Sequence, residues 1–102
     1  MIARQWRGWT DMEHADAYEA LIRQTIFPKM RRVDGARGGY LLRRDTGDGV
    51  EFVTITLFDS MAAIRRFAGD DAEVAVISAE ARQLLTRFDD RVAHYEVVAE
   101  PG

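Results

Sequence analysis

Between Val50 and Phe58, eight of nine residues are Val, Phe, Thr, Ile or Leu, broken only by Glu51. Side chains of this kind fit a pleated surface, and the run is too short for a buried helix, so it predicts an interior strand. Alternation puts Val53, Ile55 and Leu57 on one face and Phe52, Thr54, Thr56 and Phe58 on the other. Neither face is suited to water, so each needs a cover. We expect helices over the first face and a second copy of the chain over the face that carries Phe52 and Phe58.

The other elements follow from the same pattern. Ile2 to Trp9 predicts a first strand. Thr10-Asp11-Met12-Glu13 has the spacing of a capping box and predicts a helix start. Ala15, Tyr18, Leu21, Ile22, Thr25 and Ile26 then recur at three and four residues, opposite a face with Glu13, Asp16, Glu19 and Arg23. Pro28 should close this helix near Phe27. Gly35, Gly38 and Gly39 mark a turn or bulge before a second strand, Tyr40 to Arg44, and the polar loop Asp45 to Gly49 makes a hairpin with the interior strand. Asp59 or Ser60 can cap a helix bearing Met61, Ile64, Phe67 and Ala68, ended by Gly69. Asp70 to Ser78 follows neither period. Ala81, Leu84, Leu85 and Phe88 suggest a further helical turn or two, and Arg91 to Ala99 a last strand. The order β-α-β-β-α-β is an α+β, ferredoxin-like plan: a four-stranded antiparallel sheet with both helices on one face. The bare apolar face predicts a homodimer through sheet faces, approximating a barrel.

Composition narrows the function classes. A chain of 102 residues is read as a single domain, residues 1–102, with room for one site. The absence of cysteine excludes disulfides, thiol nucleophiles and thiolate metal sites. A net charge of -3 disfavours nucleic acid and anionic membranes as partners. MIARQWRGW lacks a long apolar run and reads as strand rather than as a targeting or spanning segment, which makes a cytoplasmic location the default. His14 and His94 are far apart in sequence, and no H-x-x-x-H or carboxylate repeat accompanies them, so no metal site is expected.

The pieces WRGWT, HADAYEALI, GYLLRRDTGDGVEFVTITLFDS, RRFAGDD and FDDRVAHYEVV, in this order, resemble the antibiotic biosynthesis monooxygenase (ABM) family over nearly the whole chain. The resemblance implies a dimeric α/β barrel with one ligand pocket per subunit, between helices and sheet. One branch of that family degrades haem, using a histidine after the second helix, an asparagine on the first strand and a tryptophan on the second helix. Here the second-helix aromatic position is Phe67, and neither the histidine nor the asparagine is present. The other branch oxidises electron-rich polycyclic phenols with O₂ and no bound cofactor, a chemistry that asks the protein to bind, orient and help deprotonate the substrate.

For that chemistry Trp6, Trp9, Tyr18 and Phe67 are candidate pocket walls, Arg7 a candidate oxyanion partner, and His94 or Tyr95 a candidate proton-transfer group. Alternation assigns His94 to the dimer face with Val92, Glu96 and Val98, and Tyr95 to the helix side. Trp6 and Trp9, three apart, should face opposite sides of the sheet. The substrate expected is a small aromatic or quinone-like molecule. Two other readings remain open: a non-catalytic small-molecule-binding or stress-response barrel, and a small-ring isomerase. An empty pocket of about 300 Å³ or more beside a buried titratable group would favour an enzyme or a specific binder.

Overall fold

The computed structural model describes residues 1–102. Five strands, β1 (Ile2–Thr10), β2 (Ala36–Asp45), β3 (Val50–Phe58), β4 (Leu85–Phe88) and β5 (Ala93–Glu96), form one antiparallel sheet. β1 and β3 are central, with β2 outside β3. The fourth place in the sheet is shared: β4 pairs with Gly8 to Thr10 and β5 with Ile2 to Gln5. Leu85 to Phe88 is therefore a strand and not the helical turn the sequence suggests, because Leu85 already has extended dihedrals at the end of α4 (Ala79–Leu84) and passes straight into pairing with β1. The last strand, expected over Arg91 to Ala99, is confined to Ala93–Glu96.

The first helical stretch is longer than Pro28 implies. α1 (Ala15–Leu21) runs into a π-helical turn, Ile22–Ile26, and on into α2 (Phe27–Arg31) with Pro28 inside it. The Phe27 N–H reaches back five residues to the Ile22 carbonyl. A widened turn of this kind gives the proline ring room against the carbonyl of the preceding turn, which an unbroken α-helix would deny it. The start also differs: Thr10 stays in the strand and no capping box forms. Instead the Asp11 carboxylate accepts from the His14 N–H at 2.8 Å, and His14 precedes the helix. α3 (Met61–Ala68) has the expected ends, with Ser60 Oγ accepting from the Ala63 N–H at 3.2 Å and Gly69 at φ +91°.

All helices cover one side of the sheet, and it is the side opposite to the one predicted. Phe52 and Phe58 are fully buried. Phe52 packs with Tyr18 of α1, ring centroids 4.7 Å apart, and Phe58 joins Ala63 and Ile64 of α3. The two phenylalanines thus fill the helix side, because α1 and α3 bring aromatic and branched side chains down onto them. Val53, Ile55 and Leu57 point the other way and are half-buried. They share that uncovered face with Tyr40 and Leu42, their cross-strand neighbours, which are 63% and 47% exposed. The assignment of His94 and Tyr95 reverses with it. His94 pairs with Arg4 on the helix side, and Tyr95, 55% exposed, pairs with Ala3 on the bare side.

Candidate functional site

Even-numbered residues of β1 point under the helices, and among them are Arg4, Trp6 and Gly8, all buried. Gly8 is required there: a Cβ at this position would run into the six-membered ring of Trp6. The Trp6 indole N–H donates to the Asp89 carbonyl at 2.8 Å, fixing the ring against the β4–β5 junction.

Above this floor lies a cavity of about 70 Å³. Its floor is Arg4, Trp6, Thr54 and Thr56. One wall is Tyr18, Ile22, Ile26, Phe27 and Met30, so the π-helical turn forms part of it, and the rest comes from Phe67, Val76 to Ser78, Ala81 and Val92. π turns place side chains that a regular helix would direct elsewhere. Tyr18 is buried and burial pushes its hydroxyl well above the ordinary tyrosine range, so it remains a neutral O–H.

Arg4 dominates the electrostatics. It is 4% exposed and has no carboxylate within salt-bridge distance, whereas Arg7, Arg23, Arg37, Arg43, Arg44, Arg66 and Arg91 each have one. Its Nη1 donates to the Ala72 carbonyl at 2.5 Å and to His94 Nε2 at 3.0 Å, and its Nη2 to the Val74 carbonyl at 2.8 Å. The guanidinium also stands 5.6 Å from the centre of the Phe67 ring. Burial lowers its pKa to about 10, which leaves it charged at any working pH. Because arginine only donates, His94 Nε2 must be the acceptor, and the neutral ring carries its proton on Nδ1. Burial and then the neighbouring Arg4 charge hold the His94 pKa below its ordinary value, against a smaller opposing effect from Glu73.

Of the residues singled out in the sequence, Trp6, Tyr18 and Phe67 line the cavity, and His94 lies behind Arg4. The other three are outside the lining. Arg7 is exposed and gripped by Asp89, with Nε to Oδ2 at 2.9 Å. Trp9, on the bare side, lies under Arg87 at 3.9 Å from its ring centre. Tyr95 is on the bare side as well. Arg4 itself escaped sequence reasoning; the available signal was its parity with Trp6 and Gly8 on one strand.

No family model and no curated protein matches the chain. Solved structures do match it, end to end. A protein from Deinococcus radiodurans provisionally named an antibiotic biosynthesis monooxygenase superimposes with a TM-score of 0.71 at 17% identity, covering 100% of this chain and 97% of that one. The fold is that of the antibiotic biosynthesis monooxygenases. Two further structures with the ABM fold differ in what they hold. The ActVA-Orf6 monooxygenase of Streptomyces coelicolor, solved with nanaomycin D, gives a TM-score of 0.63 at 17% identity over 99% of this chain and 92% of that one. The haem degrader MhuD of Mycobacterium tuberculosis, solved with two haems in its active site, gives 0.64 at 17% identity over the whole of both chains.

Two observations bear on metals and membranes. No group of three or more His, Asp or Glu side chains is placed to hold a metal ion. No helix is long and apolar enough to cross a membrane.

Proposed function

We propose that the cavity binds a small phenol or quinone-like aromatic and that the protein oxidises it with O₂, as a cofactor-independent ABM-type monooxygenase. The observation that carries this reading is a cavity walled by Trp6, Tyr18 and Phe67 that contains a buried arginine without a counter-anion. An apolar, water-poor space lowers the cost of bringing O₂ and an aromatic ring together, and a fixed cation stabilises the electron-rich phenolate from which O₂ takes electrons. The reaction balances as phenol plus O₂ giving quinone plus water. One oxygen atom becomes the new ring carbonyl, and the other leaves as water with the ring hydrogen and the hydroxyl proton. In this scheme Arg4 is the oxyanion partner. His94 acts through Arg4, since its Nε2 is already committed to the guanidinium.

Haem does not fit these residues. Of the two histidines, His94 has its Nε2 turned onto an arginine cation, and His14 stands at the surface outside the cavity lining, so no imidazole is placed to meet an iron in the cavity.

A second reading, a non-catalytic binding barrel, is favoured by the cavity volume. The space of about 70 Å³ is less than the roughly 150 Å³ that admits benzene and far below a drug-sized pocket of about 300 Å³. An oxygen electrode run with a panel of single-ring and fused-ring phenols separates the two. Oxygen uptake with label from ¹⁸O₂ in the quinone, absent in Arg4→Met, supports the monooxygenase; binding with no uptake supports the binder.

The proposal extends to assembly: a second copy of the chain covers the face that bears Tyr40, Leu42, Val53 and Ile55. Large exposed apolar side chains arrayed over neighbouring strands are more than a monomer ordinarily shows to water.

A further inference from the structure

The hydrogen bonds of Arg4 leave one part of its guanidinium unspent. A guanidinium has five N–H donors. At Arg4 the two on Nη1 go to Ala72 and His94 and one on Nη2 goes to Val74, so the Nε–H and the second Nη2–H have no partner. No fully buried side-chain nitrogen or oxygen in the protein lacks a partner, so the unbonded Nε keeps some exposed surface, and Arg4 is among the residues that line the cavity. Nε and Nη2 are the edge by which two other arginines of the protein grip carboxylates. Arg7 holds Asp89 through Nε at 2.9 Å and Nη2 at 3.4 Å, and Arg37 holds Asp59 through Nε at 2.6 Å and Nη2 at 2.8 Å.

We propose that the free Nε/Nη2 edge of Arg4 makes the cavity selective for single-ring aromatics in their anionic form, a phenolate or an aromatic carboxylate, over neutral rings of the same shape. This rests on the reading of the cavity as the ligand site, and it specifies the charge and size of what enters. Charge follows from burial. An isolated cation taken from water is destabilised even after relaxation, and its carbonyl and imidazole partners supply dipoles but no negative charge. An anion on the open edge offsets that cost, with the planar two-point geometry that guanidinium favours. Size follows from volume: at about 70 Å³ even one ring needs a wall to give way. Val76 and Ile77 supply such a wall, lying in the stretch between α3 and α4 that has no helix or strand of its own. The Ala72 and Val74 carbonyls that anchor this stretch use other N–H groups of Arg4, so the anion and the anchor do not compete.

The probe is 4-nitrophenol, whose phenolate is yellow and whose hydroxyl ionises near neutral pH. Its titration in the presence of saturating protein is read by absorbance, and no turnover is involved. An apolar cavity alone raises the pKa of a bound phenol, while a cation at hydrogen-bond range lowers it, so the sign of the shift decides. We expect a fall of about one unit or more in the bound state, equivalent to a tenfold preference for the phenolate, and a rise in Arg4→Met. An unchanged or raised pKa in the wild-type protein overturns the inference and leaves the cavity reading standing. Absence of binding by 4-nitrophenol overturns both. The wild-type result stands alone if Arg4→Met does not fold.

Discussion

Arg4 and His94 are cross-strand partners on β1 and β5, and the arginine Nη1 donates to the histidine Nε2 across 3.0 Å. This bond exists only while the imidazole is neutral, since a protonated ring has no acceptor and repels the guanidinium. An unfolded chain protonates His94 at its ordinary value of 6.5, the folded one only at lower pH. Between the two values the unfolded state alone binds the proton, so this contribution is complete above 6.5, declines as pH falls through the folded pKa, and is constant below it. Asp11, Asp59 and Asp71, held below the ordinary 3.8 by hydrogen bonds from His14, Arg37 and Arg91, lose their contribution in a separate, more acidic window. Thermal melts from about pH 7 to 5 should therefore show a falling Tm in the wild-type protein and a flatter profile in His94→Gln. Equal slopes for the two would mean that the histidine is not the titrating group.

Gly8→Ala places a methyl group against the Trp6 ring. The ring also forms the cavity floor and is tied to Asp89, so it cannot swing aside without breaking its hydrogen bond. A loss of about 1–3 kcal/mol is expected from overpacking, read by urea denaturation. A variant as stable as the parent would show that the indole has another resting place.

Phe52→Ala tests which face of β3 the helices cover. With Phe52 fully buried against Tyr18, the expected cost is about 3–5 kcal/mol in the isolated chain, independent of protein concentration. A cost that disappears on dilution would place the ring in an interface instead.

Ile55→Lys tests the uncovered face. The side chain is only half-buried, so the substitution should be tolerated by the fold while putting a charge amid Tyr40, Leu42 and Val53. If a second copy covers this face, sedimentation velocity should show a dimer for the parent and a single-chain particle for the variant. A parent that sediments as a single chain removes the assembly from the proposal.

The sequence pattern marks β3 to the residue, because β-branched and aromatic side chains leave no competing period there. It also marks the Ser60 cap and the Gly69 stop of α3, where short-range hydrogen bonds and a positive φ demand particular residues. It is silent on phase. When Val53, Ile55 and Leu57 alternate with Phe52, Thr54 and Phe58, both faces are apolar, and only the helices that land on the sheet choose between them. His94 and Tyr95 inherit that ambiguity, which is why their sides exchange. Arg4 is invisible for a different reason: among so many arginines its distinction is burial without an acid, a property of three-dimensional neighbours and not of local spacing.

The bond from the Trp6 indole to Asp89 gives this protein a built-in optical gauge. Of its two tryptophans, one is clamped in the floor of the cavity and the other lies on the far side of the sheet beneath a guanidinium. In a Trp9→Phe background the remaining fluorescence therefore reports from the floor alone, and filling of the space above it can be followed by emission wavelength, with no label attached.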